Sequence, residues 1–265
     1  MTAATRSAGT MENVVKVPLP ADPGANGQMA EKAHVAGGDT RSADLVELSV
    51  VLVATSNNPS IVNPDFLTDN DIVDERRQLR EDPVTTPVFA QLVYEDGLIV
   101  RADPERVMFV QSASGTSLSG IVCPRMAEGY ARAVPHVPYR AVGINPKLHV
   151  CLSAANPAKV ANALGDQGSW LSYKDSEPEI QLKAIYPFGS RKIIVDVLGA
   201  TRRRPNGQPL PGLLFQGNVH RDLEQTSSQK RIEALISIVS NWESDVLDCR
   251  TLADKFTSYA TRDLT

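Results

Sequence analysis

Cys123 stands directly before Pro124. A proline in that place suits the first turn of a helix, so the thiol would lie at a helix N-terminus, where free backbone N–H groups stabilise a thiolate. With His136 or His149 as a base, such a thiol would be a nucleophile. Nothing in the spacing brings either histidine to Cys123, and a small thiol packed under the helix is the commoner outcome for an isolated cysteine. The three cysteines, Cys123, Cys151 and Cys249, lack the C-x-x-C spacing of a zinc site or redox pair.

Arg202, Arg203 and Arg204 form the sharpest charge cluster, beside Pro205-Asn206-Gly207, and are expected at the tip of an exposed loop. Such a tip can clamp phosphates or an acidic protein surface. No aromatic residues interleave with the arginines for base stacking, and the formal net charge is -4. Protein is therefore the favoured partner over nucleic acid. Arg101, the lone charge in an apolar stretch, is a further candidate contact.

Asp65, Asp69, Asp71, Asp74 and Glu75 invite a calcium loop, because hard cations want clustered oxygens. Counted from Asp69, however, Asp74 takes the place where an EF-hand needs glycine for its sharp turn. The segment reads instead as a solvated acidic stretch paired with Arg76 and Arg77, and no metal is assigned. Ser112–Gly120, SASGTSLSG, has neither a nucleophile elbow nor a phosphate loop, and no G-x-G-x-x-G occurs. No cofactor is assigned.

The elements that must hold these residues centre on Thr85–Gln111, TTPVFAQLVYEDGLIVRADPERVMFVQ, which reads as a three-strand antiparallel meander. Asp96-Gly97 offers a tight turn and Asp103-Pro104 a wider one. Pairing across Asp96-Gly97 sets Val93 opposite Val100 and Gln91 opposite Ala102, with Leu92, Tyr94, Ile99 and Arg101 on the other face. Both faces are then largely apolar, which predicts a sheet covered on both sides.

Before the meander, LVELSVVLVA reads as a central strand buried on both faces, and the Asn58-Pro59 and Asn63-Pro64 steps as an ordered loop. After it, Pro124 to Ala133 is helical, Tyr139–Asn145 is a strand with a return through Leu148–Leu152, and Asn156 to Gly165 is a short helix. A second meander follows: IQLKAIY, KIIVDVLGA and Leu213–His220. Ile232, Leu235, Ile236, Val239, Trp242 and Val246 form one apolar helical stripe over Ser228–Leu247, with a last short helix around Leu252 and Phe256.

The fold class is α+β, mostly antiparallel sheet from two three-strand meanders packed with helices. Two blocks of three strands, each closed by a helix, invite the idea of an internal duplication. Residues 1–43, rich in Ala, Gly, Pro, Thr and Asp, read as a flexible tail, and 44–265 as a single domain.

The segments NPSIVNPDFL, PVTTPVFAQLVYEDG and PHVPYRAVGIN resemble a family of uncharacterised bacterial proteins with the same order of elements. The resemblance covers about Val50 to Asn145. It implies a bacterial source and one intact domain, and no activity, cofactor or catalytic residue.

An apolar fraction of 42% in 265 residues supports a sizeable core, and no run approaches the roughly 20 apolar residues of a membrane-spanning helix. With no signal-peptide core, the chain is expected in the cytoplasm, free of membrane. The favoured function is a non-catalytic protein-binding or assembly module of a bacterial intracellular complex, with a protein partner or a homo-oligomer. Two alternatives stay open: a small-ligand binder or enzyme with a pocket near Cys123, and nucleic-acid contact through Arg202–Arg204.

Overall fold

The computed structural model describes residues 43–152, 181–203, 207–224 and 227–260. They belong to a compact unit spanning Asp39–Thr265. The tail expected over residues 1–43, apart from Ala43, and the helix expected from Asn156 lie outside the described residues.

Nine strands form one antiparallel sheet. In chain order they are β1 Ala43–Ala54, β2 Val84–Thr85, β3 Ala90–Val93, β4 Leu98–Asp103, β5 Arg106–Ser112, β6 Tyr139–Cys151, β7 Leu182–Phe188, β8 Arg191–Arg203 and β9 Pro209–Asp222. Across the sheet they run β2-β3-β4-β5-β1-β6-β9-β8-β7. The helices are α1 Pro64–Asp69, α2 Cys123–Ala133, α3 Ser228–Ser240 and α4 Trp242–Ala260. The class is the α+β expected from the sequence. The described elements of each half follow one order: a strand, a meander whose last strand returns beside the first, then helix. The two first strands, β1 and β6, meet at the centre. This likeness is one of element order and pairing, and it does not by itself establish a duplication.

The core follows from alternation along the strands. Leu48, Val50 and Leu52 of β1 are 0% exposed. Their cross-strand partners are Gln111, Phe109 and Val107 on β5, and Pro146, Ile144 and Val142 on β6. These side chains share the face on which the helices lie: α2 against β1 and β5, α3 against β6, and α4 against β6 and β9. Burying each Val, Leu or Phe there contributes roughly 1.5–3 kcal/mol. Tyr130 of α2 seals the middle, its ring 5.8 Å from that of Phe109 and 6.1 Å from that of Phe66, while its hydroxyl donates to Asn57 Oδ1 at 3.2 Å.

The pairing of β3 with β4 corrects the register read from sequence. Val93 lies opposite Ile99, Leu92 opposite Val100 and Gln91 opposite Arg101. The turn is one residue longer than Asp96-Gly97: Tyr94 N–H donates to Leu98 O, Gly97 N–H donates to Tyr94 O, and Gly97 takes φ +81. This is the three-residue loop with a left-handed third residue. A one-residue slip moves every later side chain to the other face. Leu92, Val100 and Ala102 therefore sit under the helices, while Val93, Ile99 and Arg101 lie opposite. Among the described residues no element covers the second side of the meander or of β1, whose Val51 and Val53 are half-buried.

Four further expectations change. The Asn58-Pro59 and Asn63-Pro64 steps start helical turns: Asn58 Oδ1 accepts from Ser60 N–H and Asn63 Oδ1 from Phe66 N–H, as N-cap asparagines do. Residues 139–151 form one strand rather than a strand and return. Pro146 is accommodated where the β6–β9 ladder skips from Ile144 to Lys147, because a proline has no N–H to place there. The C-terminal stripe divides at Asn241 into α3 and α4, so Leu252 and Phe256 belong to α4. Finally, β8 runs to Arg203, opposite Pro209, which places Arg202 and Arg203 in a strand and not at a loop tip.

Candidate functional site

With all described helices on one face, the other face of the sheet carries no described element of secondary structure. Cross-strand pairing orders its side chains into rows. Val93, Ile99, Val110, Ser49 and Asn145 make one row, and Gln91, Arg101, Met108, Val51 and Gly143 the next. Val53 and Ala141 follow. Ile99, Met108, Val110, Val51 and Val53 are only half-buried. They form an apolar patch over β4, β5 and β1, at the middle of the molecule.

Polar pairs rim the patch. Arg101 Nε donates to Gln91 Oε1 at 2.7 Å, which holds the guanidinium beside Met108. On the far side, Lys147 Nζ lies 2.7 Å from Glu47 Oε1, and Asn145 Nδ2 donates to Ser49 Oγ at 3.4 Å. Asp103 and Arg106 pair at 2.8 Å at the β4–β5 turn. An apolar centre with a charged rim of both signs is the usual composition of a protein contact surface.

Arg101 thus borders the patch. Arg202 is on the same face, but four strands intervene between β4 and β8, which alone separates the two by about 24 Å across the sheet at the usual strand spacing. Arg202 sits 3.8 Å from Asp44 Oδ2. Arg203 is exposed at the end of β8, and Arg204 lies outside the described residues. The structure therefore does not gather Arg101, Arg202 and Arg203 into one site.

Cys123 does begin α2, but it is 0% exposed and its thiol donates to Leu48 O at 3.6 Å. Gln111 Oε1 already accepts from the N–H groups of Val122 and Cys123. Burial pushes the thiol pKa well above the ordinary range, and Glu47 adds to the rise. His136 is exposed beyond the other end of α2. His149 points to the open face of β6, on the other side of the sheet. A thiolate with either base has no geometry here, and the thiol's role is packing.

His149 has an unusual setting of its own. It is 2% exposed, and neither ring nitrogen makes a well-formed hydrogen bond. The ring lies over Gly212, where a Cβ would come within 2.7 Å of Nε2 and 2.1 Å of Val150 O. Burial lowers its pKa, Arg202 lowers it further, and Asp44 opposes both.

Two other charged groupings are structural or self-compensating. Asp245, 0% exposed, receives Arg221 at 2.6 and 2.7 Å and Arg191 at 2.9 Å, which ties α4 to β8 and β9. An open cleft of about 730 Å³ between the 68–76 turn and α2 is lined by Arg76, Arg125, Arg132 and by Asp71, Asp74, Glu75 and Glu128. Its charges are nearly balanced. Asp74 is held below the usual carboxylate range by its hydrogen bonds from Arg76, whereas Arg77 pairs with Asp96 outside the acidic segment. No group of three or more metal-ligating side chains occurs among the described residues.

The apolar patch was missed in the sequence because the wrong register splits it between two faces. The signal that recovers it is Glu95-Asp96-Gly97 taken as a three-residue loop. No protein-family model matches the chain, and no curated protein matches it. Among the described residues, no helix is long and apolar enough to cross a membrane.

Proposed function

We propose that this protein is a non-catalytic binding and assembly module that uses the open face of its sheet to hold a protein partner. The observation that carries the reading is the half-buried apolar patch of Val51, Ile99, Met108 and Val110, rimmed by Arg101, Gln91, Glu47 and Lys147, on the face opposite every described helix. Apolar side chains left facing water at the centre of a sheet are costly unless they are used. The patch is also preorganised, because it rests on the most buried strands of the fold, so binding would order few side chains.

A carboxylate in the patch tests this. Val51→Glu and Met108→Glu both sit where the side chain has room to reach solvent, so the fold should persist, as far-UV circular dichroism would report. From extracts of the source cells, the wild-type chain should retain a defined protein that the double variant loses. Equal retention by both, or none by either, would sink the reading.

A further inference from the structure

We propose that β7 is a seam at which a second copy of this chain adds its own β7 in antiparallel register, continuing the sheet across a twofold axis. This rests on the assembly reading and names the partner at one edge. The two edges of the sheet differ. At one end β2 is two residues long, the usual way of blunting an edge. At the other end β7 presents seven residues, with Ile185 58% and Phe188 57% exposed.

The backbone fixes which groups β7 offers. Phe188 and Arg191 close the β7–β8 hairpin around Gly189-Ser190, with Gly189 at φ +62. A two-residue loop of this kind closes on a hydrogen-bonded pair. By alternation, Phe188, Tyr186, Ala184 and Leu182 direct their backbone groups to β8, and Pro187, Ile185 and Lys183 direct theirs outward. Pro187, which has no N–H, therefore falls on the outer side, where a proline costs the ladder nothing.

The chemistry that completes such an edge is another extended strand. A second β7 fits because the strand is self-complementary about Ile185, its central residue. A twofold axis there lets the two Ile185 residues exchange both backbone hydrogen bonds, and lets each Lys183 N–H donate to the other copy's Pro187 carbonyl. Leu182 then faces Phe188, Ala184 faces Tyr186, and no lysine meets a lysine. The exposed lysine of this strand leans back toward β8, with Lys183 Nζ 3.7 Å from Asp196. Ile185 lies on the open side of the sheet and Phe188 on the helix side, so the join is covered by apolar side chains on both faces.

The test is sedimentation velocity on the full chain over a range of concentrations. Ile185→Pro removes an outward N–H and leaves the β7–β8 ladder whole. Ile185→Lys keeps the N–H and replaces the apolar side chain. The wild type should be a dimer, and each variant should weaken it about tenfold or more, with thermal unfolding at low concentration unchanged. A wild type that stays monomeric, or a dimer indifferent to both variants, overturns the seam. If Val51→Glu with Met108→Glu still abolishes partner retention in that case, the seam alone has failed. If no partner is lost either, the assembly reading fails with it.

Discussion

His149 shows what a single buried group adds to the behaviour of the molecule. Its folded pKa lies below the ordinary 6.5 because burial and Arg202 disfavour the imidazolium. The unfolded chain therefore binds the proton more readily. The stability this neutral ring confers is present in full above about pH 6.5 and is lost as pH falls toward the folded pKa. Denaturant midpoints measured at pH 7.5 and 5.5 should fall with pH, and the drop should shrink in His149→Asn. Cys123 gives the opposite kind of expectation, an inert group. In a Cys151→Ser background, thiol reagent should modify neither Cys123 nor Cys249 in the native protein and both in denaturant, since burial raises each pKa, that of Cys249 to about 12. The sequence showed Cys123 at a helix start. It could not show which side of the sheet that helix covers, and that alone separates the thiol from His149.

At the scale of elements, the turns decide most. Gly97 has room for a methyl group, with Ser112 Cβ at 3.5 Å, but its φ of +81 disfavours any side chain. Gly97→Ala should cost about 1 kcal/mol, read as a lower denaturant midpoint with an unchanged slope. The joint of α4 with β8 and β9 depends on Asp245 between Arg191 and Arg221. Asp245→Asn would leave the Arg221 guanidinium short of a counter-charge, while Arg191 keeps Asp248, at a cost of about 3 kcal/mol by equilibrium unfolding. Strand and helix positions were legible because alternation and helical stripes are local signals. The face of each strand was not, because register depends on whether a loop holds two residues or three. The missed helical turns at Asn58 and Asn63 have the same cause in reverse: an Asn-Pro step both breaks a preceding helix and caps a new one, and only the downstream packing of Val62 and Leu67, both 0% exposed, shows which.

For the described residues as a whole, one sheet with all its helices on one side leaves a broad face and one long edge, the two surfaces proposed to meet other chains. The apolar patch at the centre and β7 at the rim are separate surfaces, so binding a partner and joining a second copy are compatible. Met108 is a built-in probe of the central claim: it lies half-buried in the patch, whereas Met126 is 2% exposed beneath α2. The decisive measurement is peroxide footprinting of both methionines by mass spectrometry, in the purified chain and in intact source cells. The account predicts that Met108 oxidises readily in isolation and is protected in cells, with Met126 slow in both. Equal oxidation of Met108 in the two settings would contradict it.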